Sequence, residues 1–418
     1  MQETRMMLRN IGKINPISSM EYAKLGGYAS LRLALSFPNG IVGMLKDSGL
    51  RGRGGAGFPV GLKWAFVRDT EAPQKYVICN ADEGEPGTNK DRILIMGNPH
   101  AVLEGMAIAG RAVGASKGYI YIRAEYPYVR ELVEKAIADA EEHNFLGKGI
   151  LGSDFDFDIE IRMGAGAYIC GEETALMQSI EGQRGEPRFK PPFPAQKGLF
   201  GMPTVVNNVE TFANVPLVLS LGSENFRTIG APKTSGTKLF TLSGNICRPG
   251  VYEFQTGITI RELFEEVGGG CPNGKKLQAI QTGGASGAII SPDLLDTPMD
   301  IESCAAVGAT FGAGDLMFID EDQDLIEVCA SLAGFFVDES CGKCTPCREG
   351  NKRLLELIMK FRHHTATPKD IDTINDLAST MMDASLCGLG QTSPTPIVTA
   401  VKNFPEVFER AMARRDEK

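Results

Sequence analysis

The chain has 418 residues, 23% of them charged, with a net charge of -9 and no basic stripe, which argues against nucleic acid as a partner. No apolar run is long enough to span a bilayer, and the N-terminal MQETRMMLRNIGKINP lacks the apolar core of a secretory signal. A cytoplasmic protein of two or three domains without direct membrane insertion is expected, its ten cysteines serving as metal ligands or buried thiols rather than disulfides.

Residues 20 to 50 read as helices ending at SGL. RGRGGAGFPVGLKW follows, and its residues 52 to 57 match GxGxxG. The dinucleotide fingerprint needs a strand in front of it, whereas GIVGMLKDSG reads as helix, and a P-loop is excluded because no GK[ST] occurs. Two readings stand at this point. The stretch is a flexible surface loop, or a nest of backbone N–H groups facing a phosphate, with Arg51, Arg53 and Lys63 adding charge.

KYVICN is short, apolar and β-branched and predicts a buried strand. The loop after it, ADEGEPGTNKDR, sits at the strand's carboxyl end, where open α/β sheets bind ligands. Its Asp82, Glu83 and Glu85 suit either a solvated acidic turn or a ligand site, with Asn80 offering a donor and an acceptor to a heterocycle edge. PHAVLEGMAIAGRAVG predicts a buried helix with Pro99 near its start and Gly114 at its end. KGYIYIR predicts a strand, PYVRELVEKAIADAEEHNFLG an amphipathic helix stopped by Gly147, and FDFDIEIRMG a half-exposed strand. This β-α-β-α order implies an α/β layer architecture.

GAGAYICGEETALMQSIEGQRG predicts a second glycine turn opening a helix, with Glu172 and Glu173 in its first turn, where the helix dipole favours carboxylates or a ligand. RFKPPFPAQKGLFGMPTVVNNVETFANVP reads as ordered, with Asn207 and Asn208 as candidate caps of an apolar helix. From about Ser235, GTKLFTLSGN, GVYEF, ITIRELFEEVGG and KLQAIQTGG predict strand, strand, helix and strand, a small α+β unit of β-grasp type without a titratable cluster. LIEVCASLAGFFVDES, NKRLLELIMKF, DIDTINDLASTMM and TPIVTAVKNFPEVFERAMARR predict a helical C-terminal part.

Within that part, ESCGKCTPCREG carries Cys341, Cys344 and Cys347 as CxxCxxC, and Cys387 follows in ASLCGLGQ. Three closely spaced thiolates and one remote thiolate suit the corners of a [4Fe–4S] cluster. A structural zinc site usually splits its ligands into two pairs; the second cysteine pair is missing, although His363 and His364 fall between the ligands. Cys79, Cys170, Cys247, Cys271, Cys304 and Cys329 read as structural.

RGRGGAGFP, NADEGEPGT, GAGAYICGEETAL, KPPFPAQKGLFGMPTVVNNVET and ESCGKCTPCR together resemble the NADH-binding flavoprotein subunit of respiratory complex I and related subunits of NAD-linked hydrogenases and formate dehydrogenases. The resemblance implies FMN, one [4Fe–4S] cluster and NADH or NAD as substrate. It implies a Rossmann-like α/β domain over 1–232, a ubiquitin-like β-grasp domain over 233–324 that resembles a soluble-ligand-binding module, and an all-α helical bundle carrying the cluster over 325–418. Carried onto this chain, it gives Gly52, Arg53, Gly54, Lys63, Asn80, Asp82, Glu83, Gly171, Glu172, Asn207, Asn208 and Thr211 to FMN. Phe58, Phe66, Glu85, Tyr168, Glu173 and Lys190 go to NADH, and Cys341, Cys344, Cys347 and Cys387 to the cluster. No side chain is expected to act as acid or base in hydride transfer.

The implied activity is NADH oxidation: hydride to FMN, then single electrons to the cluster and on to a partner. The expected partners are a small [2Fe–2S] subunit and a larger iron–sulfur subunit of a complex I-like NADH dehydrogenase, through which the chain would lie peripheral to a membrane. The surroundings of Cys387, SLCGLGQTSPTP, lean toward the alternative, a diaphorase subunit of a soluble, bifurcating or non-bifurcating hydrogenase or formate dehydrogenase. A reading of another class, a non-catalytic flavin- or nucleotide-sensing module, is opposed by the complete set of cluster ligands.

Overall fold

The structure, a computed structural model, describes residues 2–412. Its first part is built on a four-stranded parallel sheet of β1 (Tyr76–Ala81), β2 (Lys117–Ile122), β3 (Asp158–Met163) and β4 (Thr204–Asn208), in the order β3-β2-β1-β4. The apolar run of KYVICN is explained by its place: β1 is central, paired on both edges. FDFDIEIRMG alternates because β3 is the sheet's edge and only half covered. The helix Pro99–Val113 is buried nearly throughout, and Gly114 ends it in the left-handed conformation.

In this first part three features differ from expectation. The amphipathic helix Pro127–Glu142 ends before Gly147, whose N–H instead bonds the Phe157 carbonyl. TVVNN, read only as a lead-in to a cap, is the strand β4, and its pairing with β1 completes the sheet. Glu172 lies one residue outside its helix, Glu173–Ile180, as the N-cap. Strand order reverses between β1 and β4, since the chain proceeds outward from β1 to β3 and then returns to the other side. Loops leaving such a switch point diverge and open a crevice at the carboxyl ends of the strands.

The middle part is a five-stranded mixed sheet in the order Ile289–Ile290, Leu277–Thr282, Asp315–Asp320, Thr237–Gly244, Gly250–Gln255. Asp315–Asp320, outside the expected four-element unit, occupies the centre. The expected helix over ITIRELFEEVGG is shorter, Glu262–Val267, and π-wound; Phe264 packs on Phe318 of the central strand, ring centroids 4.9 Å apart.

The C-terminal part is helical, with Leu325–Glu339, Thr345–Arg362 and Pro368–Ala384 as its long members. The last expected helix is two, Thr395–Asn403 and Pro405–Ala411, because Pro405 disfavours the helical conformation at Phe404. Residues 413–415 of that expectation lie outside the described residues. These helices share one apolar core with the sheet's second face: Phe336, Leu354 and Phe361 cluster with Ile78, Tyr121, Ile169 and Leu176. Among the described residues no helix is long and apolar enough to cross a membrane.

Candidate functional site

The crevice at the β1–β4 switch point is a cleft of about 300 Å³. Gly54, Asn80, Asp82, Glu83, Glu85, Tyr168, Gly171, Glu172 and Asn208, all singled out from sequence, line it. They come from the glycine loop, the loop after β1, the turn after β3 and the end of β4, so distant motifs converge because their elements end at one edge of one sheet. The glycine at 54 has a steric reason: a Cβ there would stand 2.9 Å from the Cβ of Asn208.

Several of these side chains bond the loops to each other. Asn80 Nδ2 donates to the Gly171 carbonyl (2.8 Å), and its Oδ1 accepts from Asp82 N (3.0 Å), so its amide joins two loops rather than standing free. Glu83 accepts from the backbone N–H of Asp91 (2.7 Å) and Arg92 (3.1 Å), in the first turn of the helix Lys90–Gly97. Glu85 accepts from Tyr168 Oη (2.9 Å) and from Ala285 N. Asn208 is a true cap, Oδ1 accepting from Glu210 N at 3.0 Å, whereas Asn207 accepts from Trp64 Nε1 at 2.8 Å. Burial pushes the carboxyls of Asp82, Glu83 and Glu85 each up to about 7.

Other predicted residues stand beside or behind the cleft. Gly52 N bonds the Phe58 carbonyl across the glycine loop. Arg53 is fully buried: its backbone N donates to Thr211 Oγ1 (2.9 Å) and its guanidinium to the Ser235 carbonyl. Lys63 donates to the Val206 carbonyl (3.0 Å) and reaches Glu173 (3.4 Å), while Lys190 bridges Glu172 (3.1 Å) and Glu173 (2.7 Å). Those two lysines hold the Glu173 carboxyl below its ordinary range against the opposing effect of burial. Phe58 and Phe66 are exposed rings flanking and riding on the helix Val60–Asp69. Phe193, equally exposed beside the turn Pro194–Lys197 that packs on that helix, was not singled out; an aromatic between prolines in KPPFP was its only signal.

The four cysteines do converge. Cys341, Cys344, Cys347 and Cys387 line one cavity with Ser340, Lys343, Ile169 and Leu389. Cys344 and Cys387 are N-caps of the helices Thr345–Arg362 and Gly388–Thr392, where backbone N–H groups are exposed. Polar hydrogens already point at sulfur: Asn351 Nδ2 is 3.3 Å from Cys347 Sγ, and Leu386 N is 3.5 Å from Cys344 Sγ. Among the described residues no three His, Cys, Asp or Glu side chains stand close enough together for a single metal ion, whereas a cluster spreads its ligands over separate irons. His363 and His364 lie at the far end of Thr345–Arg362, about 24 Å from Cys347 by helical rise. Of the six cysteines read as structural, five are buried and Cys247 is exposed.

Ile169 and Leu389 line both the cleft and the cysteine cavity, so the two share a wall. Sequence reasoning missed Thr88, Lys90 and Asp91 in the cleft lining, although they stand in the quoted motif, because single polar residues after an acidic loop carry no period.

Residues 45–217 match the Nuo51 FMN-binding domain, 239–289 the SLBB domain, and 327–411 the NADH-ubiquinone oxidoreductase-F iron-sulfur binding region. The NADP-reducing hydrogenase subunit HndC of Solidesulfovibrio fructosivorans is 48% identical over 98% of this chain and 83% of its own. The NADH-quinone oxidoreductase F subunit of Aquifex aeolicus is 45% identical over 97% of this chain and 94% of its own. A crystal structure of an NAD+-reducing [NiFe]-hydrogenase in the H2-reduced state superposes with a TM-score of 0.87 at 35% identity, covering 99% of this chain and 68% of that one. Fold and site thus define an NADH oxidoreductase that works with FMN and a [4Fe–4S] cluster. The chain belongs to the family of NADH-quinone oxidoreductase F subunits and the related subunits of NAD-linked hydrogenases.

Proposed function

We propose that the cleft at the β1–β4 switch point holds the flavin, and that Cys341, Cys344, Cys347 and Cys387 hold the cluster behind the Ile169–Leu389 wall. The shared wall is the observation that carries this reading, because Ile169 and Leu389 each line both the cleft and the cysteine cavity. Buried polar atoms without a partner in the cleft lining, Asp82 Oδ2 and Thr88 Oγ1, suit a polar ring edge or ribityl hydroxyls. The chemistry supplied when both groups are bound is conversion of a two-electron hydride donor into single electrons.

The chain's own residues then orient and enclose. Gly52, Arg53, Gly54, Lys63, Asn80, Asp82, Glu83, Gly171, Glu172, Asn207, Asn208 and Thr211 form the FMN site, some by contact and some, like Asn80 and Asn207, by fixing the loops that do. The exposed rings of Phe58 and Phe66 are platforms for the adenine, while Glu85, Tyr168, Glu173 and Lys190 surround the rest of NADH. Hydride transfer needs no protein base, and the cleft carboxyls position the ligands. The chain divides into an α/β part at 1–232, a β-grasp part of SLBB type at 233–324 and a helical part at 325–418. It works in the cytoplasm with a small [2Fe–2S] subunit and a larger iron–sulfur subunit. Relatives from quinone oxidoreductases and from hydrogenases both cover nearly the whole chain, and co-purification of a hydrogenase or of a membrane arm distinguishes the two assemblies.

The test is turnover by the isolated chain reconstituted with FMN and iron–sulfide. It is expected to reduce ferricyanide or a viologen dye with NADH, and to turn over neither quinone nor hydrogen until an iron–sulfur partner is added. Absence of dye reduction after full loading would overturn the reading.

A further inference from the structure

Behind the cleft runs a second, fully buried layer of charge. Lys90 is the one cation among the described residues lining the cleft, whose lining also holds Asp82, Glu83, Glu85, Asp91 and Glu172. It is 1% exposed; its Nζ lies 2.7 Å from Asp91 Oδ1, 3.0 Å from Glu210 Oε2 and 3.3 Å from Asn208 Oδ1. Glu210, 0% exposed, also accepts from Leu239 N at 2.8 Å and from Nζ of Lys238, likewise 0% exposed, in the middle sheet. The row Lys90–Glu210–Lys238 therefore joins a helix after β1, the helix after β4 and a strand of the second sheet.

Burying such charges is expensive, and apolar side chains of similar volume pack as well or better, so packing does not account for them. Burial would lower the Lys90 pKa, but Asp91, Glu210 and Glu83 outweigh it and keep the ammonium charged. Reduction of a flavin by two electrons and one proton leaves one negative charge on a ring that was neutral. In a cleft walled by carboxylates that charge is disfavoured unless a fixed cation faces it.

We propose that Lys90 is that cation, that it raises the midpoint potential of bound FMN, and that Glu210 and Lys238 are positioning residues that hold it at the cleft wall. The proposal rests on the reading of the cleft as the FMN site.

The experiment is a redox titration of FMN bound to the full chain, with FMN affinity followed separately by fluorescence quenching. Lys90→Met is expected to bind oxidised FMN and to show a lower midpoint. The ratio of reduced to oxidised FMN dissociation constants should rise roughly 10-fold or more, the scale of one unit charge acting over a few ångströms of protein. Lys90→Arg should restore it. Asp91→Asn, which removes a negative charge from the same wall, should move the midpoint upward; loosening of the structure does not produce opposite signs. If Lys90→Met does not fold, the Asp91→Asn direction decides alone. FMN bound with an unmoved midpoint in Lys90→Met, or a downward shift in Asp91→Asn, overturns the proposal. A wild-type chain that binds no FMN overturns it together with the reading of the cleft.

Discussion

Cys347 stands in the first turn of its helix with Ser340 Oγ and Asn351 Nδ2 each 3.3 Å from its sulfur, the most enclosed of the four thiols. Cys347→Ser is expected to lose or convert the cluster while FMN stays bound, since Cys347 does not line the cleft proposed for the flavin. Low-temperature EPR of the NADH-reduced protein reads this, and an unaltered [4Fe–4S] spectrum would show the ligand set to be wrong. Glu85 gives a pH signature. Its folded pKa of about 7 lies above the ordinary 4.5 because burial outweighs its hydrogen bonds from Ala285 and Tyr168. A carboxyl raised by folding contributes stability that is fully present below the unfolded pKa and is lost as pH rises to the folded one. Between about pH 5 and 6.5, Glu85→Gln should therefore flatten the fall in stability of the cofactor-free chain, by up to about 1.4 kcal/mol per pH unit. Urea titrations at several pH values measure the slope; equal slopes in both proteins would rule this carboxyl out as the source.

At the scale of elements, the helices Pro99–Val113 and Val209–Leu221 approach so closely that a Cβ on Gly105 would stand 2.1 Å from the Phe212 carbonyl oxygen. Neither backbone can yield without moving the sheet they cover. Gly105→Ala is expected to destabilise the chain by about 1–3 kcal/mol despite alanine's better helix propensity, the usual cost of overpacking. A shift of the urea midpoint to lower denaturant would show it; a stabilised variant would mean the contact relaxes freely. Sequence patterning carried most elements of this scale: the apolar KYVICN, the alternating FDFDIEIRMG and the proline- and glycine-bounded Pro99–Val113 all stand where expected. β4 escaped because TVVNN is short and its polar end belongs equally to a strand terminus and to a cap, which it turns out to be at once.

Across the whole molecule, the helical part is not an appendage. Phe335 and Phe336 pack edge-on against Tyr168, with ring centroids 5.1 and 6.4 Å away, and Glu339 accepts from Tyr168 N at 2.9 Å. The helix leading to the cysteines thus backs Tyr168, a side chain that lines the cleft. Phe336→Ala should cost about 3–5 kcal/mol. It should also shift the unfolding transition seen by fluorescence of the single tryptophan, Trp64, which lies in the α/β part. A Trp64 transition unmoved in the variant would show that the two parts unfold independently.

The candidate sites were legible in the sequence as sets of residues: three thiols in CxxCxxC with a fourth in SLCG, an acidic loop after an apolar strand, and two glycine turns. Such sets are readable because close ligand spacing, strand period and turn conformation are properties of neighbouring residues. Their juxtaposition is not such a property. That the cysteine cavity and the cleft share Ile169 and Leu389, and that Lys90, Glu210 and Lys238 meet in one buried row, follows from three parts of the chain packing together. No local period records a contact between residues 28 positions apart or more; Glu210 and Lys238 each look like ordinary surface charges until the tertiary structure removes water from both.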